Sequence, residues 1–159
     1  MKEEVIELDT VDKYNKFFKV ETYHPMVTVV DLSKITQPAQ PFTINYGIYA
    51  LFLKDTLCGD ITYGRQPYDY QEGTIVCFAP GQVASIHAQE GTRPTGYGLL
   101  FHPDFIRGTQ LGHDIRNYSF FSYEAREALH LSEEERHTVI DCLHKIDTEL
   151  RRPADKHSR

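Results

Sequence analysis

The stretch from Gly59 to Gly81, GDITYGRQPYDYQEGTIVCFAPG, limits the fold more than any other part of the chain. Ile61 and Tyr63 alternate with polar neighbours, as in a half-buried strand. Gly64-Arg65 follows, where a glycine can take positive φ and reverse the chain. Tyr68 and Tyr70 alternate again, and Glu72-Gly73 supplies a second turn. Thr74 to Phe78 is β-rich and mostly apolar, as a more fully buried strand is. Ala79-Pro80-Gly81 ends it, because proline cannot donate to a ladder and glycine gives a tight bend. Three short strands joined by two tight turns make a meander, the unit of a small antiparallel barrel or jelly roll.

A length of 159 residues suits one domain with one substantial core. The net charge is -6, and Lys and Arg are scattered, with no run longer than Arg151-Arg152. Nucleic-acid binding by this chain itself is therefore not expected. The longest nearly apolar run, Tyr46 to Leu53, is too short to span a bilayer. The acidic start MKEEVIELDT has no apolar stretch and is no signal peptide. Cys58, Cys77 and Cys142 form no CxxC and read as reduced thiols in a cytoplasmic protein.

In chain order, Met1 to Thr10 is a polar start. Val11 to Phe18 is a short helix or an arm, with Tyr14, Phe17 and Phe18 on one face at helical spacing. Val20 to Leu32 reads as a strand, with Pro25 confining it to an edge or marking a break. Ser33 to Pro41 is a loop, and Thr43 to Leu53 one long strand. The meander follows, then a strand over Val83–Ala88, a polar turn over Gln89–Pro94, and a last central strand over Tyr97–His102. Pro103 suits a first helical position, with a turn or two of helix over Asp104–Arg107 ended by Gly108. Gln110 to Ser122 is irregular, and Tyr123 to Leu129 reads as another short helix.

Ser132 opens the clearest helix. Ser132 with Glu135 fits a capping box, and Glu133 and Glu134 suit the positive helix end. Val139, Leu143, Ile146 and Leu150 make one apolar stripe. His137 and His144 share a different face, where a solvated surface is the ordinary reading over a metal site. Pro153 stops the pattern, and Ala154 to Arg159 reads as a cut before a further helix. Strands first and helices last give an α+β class, mainly β. Residues 1–44 form an N-terminal arm and first strand or strands, 45–102 the barrel core, and 103–159 a helical segment, all in one structural domain.

Catalytic arrangements are weak. Cys77 or Cys58 with a histidine lacks any local signature of a nucleophile pair. Tyr68, Asp69, Tyr70 and Glu72 put acids on a hairpin, where a solvated surface is the ordinary reading. Gly96-Tyr97-Gly98 lacks the rest of a phosphate loop. His24, His87 and His102 lie on or near strands and read as packed or rim residues.

Three pieces, YGRQPYDYQEGTIVCFAPGQ, GYGLLFHPDFIRGTQLG and YSFFSYEAREALHLSEEER, together resemble the cupin-type sensor domain of AraC-type bacterial transcription regulators. The resemblance runs from about Asn45 to Leu150. It implies a cupin-like antiparallel jelly-roll barrel followed by C-terminal helices. The first cupin motif, G-x5-H-x-H-x3,4-E-x6-G, set with its last Gly on Gly59, puts its Glu on Phe52. Its two His fall on Tyr46 and Ile48, or on Asn45 and Gly47. The second, G-x5-P-x-G-x2-H-x3-N, begun at Gly73, puts its His on Ala84 and its Asn on Ala88. The glycines match and every metal ligand is replaced, so the resemblance implies no metal and no cofactor. Cupin ligands face the barrel interior, which makes Tyr46, Ile48, Phe52 and Ala84 the expected lining of a mostly apolar pocket, or simply of a filled core.

By the same resemblance, the chain is not an enzyme. It is an effector-sensing and dimerising domain for a small organic ligand, a sugar or another metabolite. DNA contact would come only through a C-terminal domain outside this chain. The N-terminal segment with Tyr14, Phe17, Phe18 and His24 would be an arm over the barrel mouth. Two alternatives stay open: a cupin enzyme of the sugar isomerase or epimerase kind, and a ligand-free structural dimerisation domain.

Overall fold

The structure, a computed structural model, describes residues 4–35, 42–54, 59–63, 66–67, 74–88, 95–117 and 129–152. Among the described residues the fold is α+β, with ten strands in two five-stranded sheets and a helix towards the C-terminal end. The first sheet joins β1 (Glu4–Leu8), β3 (Phe42–Tyr46), β8 (Val83–Ala88), β5 (Gly59–Tyr63) and β6 (Gln66–Pro67), in that order. The second runs β10 (Leu129–His130), β7 (Thr74–Phe78), β4 (Tyr49–Lys54), β9 (Gly96–Phe101) and β2 (Val27–Asp31).

Side-chain alternation sorts residues between two apolar layers. On β4, Ala50 and Phe52 enter the layer between the sheets, whereas Leu51 and Leu53 enter an outer layer. On β7, Val76 and Phe78 face inward, and Ile75 and Cys77 face the outer layer. Covering on both sides is why all five residues of β7 are buried.

Helix α1 (Val11–Phe18) closes part of the inner layer. The Thr10 side chain accepts from the Lys13 amide and starts it, and Lys19 at φ 60° ends it in the left-handed region. Val11, Tyr14 and Phe18 are buried in the core shared by the two sheets. Just before it, the chain passes so close to Gly47 that a Cβ there would stand 2.6 Å from the Asp9 Cβ. Only glycine fits this crossing.

The outer face of the second sheet is covered by α2 (Pro103–Ile106), by Ile115 beyond α3 (Gln110–Asp114), and by α4 (Glu133–Arg151). Pro103 holds the first position of α2, and Gly108 follows at φ 84°. The capping box at Ser132 is formed: Glu135 N–H donates to Ser132 Oγ at 3.1 Å, and Ser132 N–H donates to Glu135 Oε1 at 2.8 Å. Leu143 of the apolar stripe is buried, with Val139 and Leu150 packed against the outer layer. Replacing Ser132 by Ala is expected to cost about 1 kcal/mol, read as a lower midpoint in urea unfolding with an unchanged slope.

Several expectations are corrected. The polar start contains a strand, because β1 pairs in parallel with β3, Leu8 beside Tyr46. The strand expected over Val20–Leu32 is confined to Val27–Asp31. Thr43–Leu53 is two strands on different sheets, broken at Gly47-Ile48. Among the described residues of the expected meander, β5 and β6 pair in the first sheet while β7 joins β4 and β10 in the second. Gln110–Asp114 is helical and Ile115–Asn117 a 3-10 turn. Leu129 lies in a strand, and the rest of the helix expected over Tyr123–Leu129 lies outside the described residues. So do the turns at Gly64-Arg65 and Glu72-Gly73, Tyr68, Tyr70, the turn at Gln89–Pro94, and everything from Pro153.

Candidate functional site

Four of the five candidate residues meet between the sheets. Tyr46 ends β3, Ile48 sits in the turn that carries the chain to β4, Phe52 lies mid-β4, and Ala84 lies on β8 opposite Ile44. Their exposures are 2%, 0%, 5% and 1%. The Tyr46 ring stacks on Phe78 with centroids 4.8 Å apart and an interplanar angle of 12°. Phe52 lies 6.5 Å from Tyr46 and 6.2 Å from Phe78. Its ring fits because Gly98, its neighbour on β9, has no Cβ: one there would stand 2.9 Å from two Phe52 ring atoms.

Helix α1 adds a wall that a strand pattern does not show. Tyr14 lies 6.4 Å from Phe52 and 4.7 Å from Phe18. The helical spacing of these aromatics was visible in the sequence; the direction they face was not. His24 lies apart from this group. It is half-buried, its Nδ1 accepts from the Met26 amide at 3.0 Å, and its ring meets Phe105 edge-on at 5.7 Å. Phe105 is itself exposed, so His24 belongs to the surface beside α2.

The interior carries polar groups. Burial pushes the Tyr14 and Tyr46 hydroxyls above their ordinary 10.0, and a charge on Tyr46 would raise Tyr14 further. Asn15 is wholly buried; its Nδ2 donates to Thr22 Oγ1 at 3.1 Å and to Thr28 Oγ1 at 3.3 Å. Among the described residues, Asn15 Oδ1 has no hydrogen-bond partner. Lys54 is 7% exposed, with its Nζ 5.5 Å from the Phe52 ring centre. The sequence reading passed over Lys54, although the alternation that turns Phe52 inward turns Lys54 the same way.

Other candidates separate from this interior. Cys77 faces the outer layer, and burial pushes its thiol up to about 12, so it is a protonated packing group rather than a thiolate. His137 is exposed 3.4 Å from Glu133, and His144 lies edge-on to Tyr97 at 5.1 Å. Cys58, Asp69 and Glu72 lie outside the described residues, as does the side chain of His87. Among the described residues, no group of three or more His, Cys, Asp or Glu side chains could hold a metal. An open groove of about 380 Å³ lies between β7 and the start of α4, lined by Ile75, Leu131, Glu134, Glu135, Thr138 and Val139. Among the described residues no helix is long and apolar enough to cross a membrane.

Neither a protein-family model nor a curated protein matches the chain. The site is therefore read from its own chemistry. The interior combines aromatic faces and aliphatic walls with a few buried hydroxyl, amide and ammonium groups.

Proposed function

We propose that this chain is the effector-sensing and dimerising domain of an AraC-type transcription regulator, with a cupin-like jelly-roll barrel that takes a small organic ligand. The observation that carries the reading is the meeting of Tyr46, Ile48, Phe52 and Ala84 in one aromatic interior under α1. Ligand in that interior touches both sheets and α1 together. It therefore favours some arrangements of these elements over others, which is the requirement for a sensor. The half-buried stripe of α4 leaves apolar surface for a second copy, and the -6 charge suits a sensing unit rather than a DNA-reading one.

A thermal-shift screen against sugars, small aromatics and urea-like metabolites tests the reading. A ligand that binds only the native state adds about 2.7 kcal/mol at a hundredfold excess over Kd. A raised midpoint that Tyr46→Ala or Ala84→Trp abolishes is the expected result. No shift with any compound, or a shift that survives both substitutions, overturns it.

The ring contacts among Tyr14, Tyr46, Phe52 and Phe78 favour one second reading, a packed core in a structural dimerisation domain. Under that reading Ala84→Trp lowers stability and no ligand restores it. Sedimentation distinguishes a dimer that needs ligand from one that does not.

A further inference from the structure

Asn15 is wholly buried on α1, the helix that closes part of the layer between the sheets. A chain of hydrogen bonds fixes which way round its amide sits. Lys16 and Thr22 hold the Asp12 carboxyl below its ordinary value, so it is ionised and only accepts. The Thr22 hydroxyl donates to Asp12 Oδ1 at 3.0 Å, and its oxygen accepts from Asn15 Nδ2 at 3.1 Å. The second N–H of Nδ2 goes to Thr28 Oγ1 at 3.3 Å. Turning the amide over would aim Oδ1 at a Thr22 hydroxyl whose proton is already committed to Asp12. Among the described residues, Oδ1 is thereby left without a donor, and a buried acceptor in that state is costly.

The amide belongs to the same layer as the candidate site. On β2, Val27 enters the outer layer and Val30 the inner one, so Thr28 shares the inward face with Val30. Register runs from Thr28 through Leu100 and Ala50 to Phe78, the ring on which Tyr46 stacks. Tyr14 precedes Asn15 on α1, and its hydroxyl lies near enough to Tyr46 for a charge there to act on it. An acceptor that lacks a donor selects what can sit beside it. A carboxylate or phosphate would bring Oδ1 another acceptor. An ammonium would need a counter-charge that these neutral amide and hydroxyl groups do not supply. A neutral O–H or N–H pairs with Oδ1 at neither cost. From this geometry we infer that Asn15 determines specificity in the interior, and that the ligand is a neutral molecule with an apolar body whose O–H or N–H donates to Asn15 Oδ1. The inference rests on the ligand-binding reading above and adds the chemical class of the ligand.

Calorimetric titration of the full chain tests it. Aryl and cycloalkyl alcohols are each set beside the fluoride of the same carbon frame, and primary amides beside their N,N-dimethyl amides. Each partner keeps the body and loses the donor. In at least one series the donor is expected to bind about tenfold or more tightly than its partner. Asn15→Leu should erase that difference. In isotope-labelled chain, the Asn15 side-chain carbonyl resonance should move further with the donor than with its partner. That readout needs no variant, so it decides if Asn15→Leu fails to fold. Equal affinity within both series overturns the inference and leaves the pocket standing; it is the result expected if an internal water supplies the donor. A donor preference that survives Asn15→Leu overturns it, as does tighter binding of a carboxylate than of the alcohol on the same frame. No binding by any compound overturns the ligand-binding reading as well.

Discussion

Phe52→Ala is expected to lower the unfolding free energy by about 3–5 kcal/mol, the usual cost of emptying a large aromatic site in a core. The ring is 5% exposed and lies against Tyr14, Tyr46 and Phe78, so few neighbours can move to fill its space. For a domain of this size the thermal midpoint should fall by on the order of 10 °C. Phe105→Ala is the control: Phe105 is 44% exposed, and its loss should change stability by about 0.5 kcal/mol or less. A second variant tests the geometry. In Gly98→Ala, the new methyl would press on two Phe52 ring atoms and on Val30 Cγ2, each at 2.9 Å. Removing the Phe52 ring removes two of these clashes. The double variant should therefore cost less than the two single variants together, by about 0.5–3 kcal/mol. Strict additivity in urea unfolding would show that the ring does not lie on Gly98.

Alkaline pH should unfold the domain through its buried acids. Burial pushes the Cys77 thiol from 9.0 up to about 12. The folded state thus holds the proton over a range in which the unfolded chain has released it. This contribution is fully present below about pH 9, and it is lost as pH rises towards 12. At about 1.4 kcal/mol per pH unit, the gap amounts to about 4 kcal/mol by the top of that range. Tyr14 and Tyr46, both raised above 10.0 by burial, add to the loss once the unfolded chain begins to form phenolates. Unfolding free energy measured against pH should be flat to about pH 9 and then fall. Cys77→Ala should start lower but fall less steeply, and phenolate absorbance should rise with unfolding rather than before it. A profile that stays flat to pH 11 would mean that these groups reach water in the native state.

What the sequence made legible were features that depend on near neighbours. The Ser132–Glu135 capping box, the proline at the start of α2 and the alternation of β4 are all written within a few residues, and all are present. The misses depend on distant partners. Thr43 to Leu53 is apolar at nearly every position, so nothing local marks the break at Gly47. The reason for that break is Asp9, which crosses against it. Strand β1 carries a period-two pattern, with Leu8 and Ile6 packed inward and Val5 out, yet it is short and acidic and its partner is β3. The place of β7 in the second sheet is likewise decided by its pairing with β4.

The candidate site divides in the same way. Tyr46, Ile48, Phe52 and Ala84 do meet in one interior, but Tyr46 and Phe52 reach it from different sheets and Ile48 from the turn between them, not from one alternating strand. His24 was expected there only as part of an arm that the resemblance implies, and it lies half-buried beside the exposed Phe105 instead. Lys54 was hidden by its chemistry, since a lysine at a strand end ordinarily points to water. Its direction was nevertheless given by Phe52, two residues earlier.

The pairing of β2 with β9 has a consequence for how the protein is made. Val27 lies against Phe101 and Asp31 against Tyr97, so a strand made early must wait for one made much later. Ribosomes add about 5–20 residues each second, which leaves β2 and the apolar face of α1 without their partners for on the order of several seconds. Pairings this distant in sequence also make closure slow once the chain is free, in the millisecond-to-second range. Val11, Tyr14 and Phe18, buried on α1 in the folded chain, thus stay uncovered for much of synthesis.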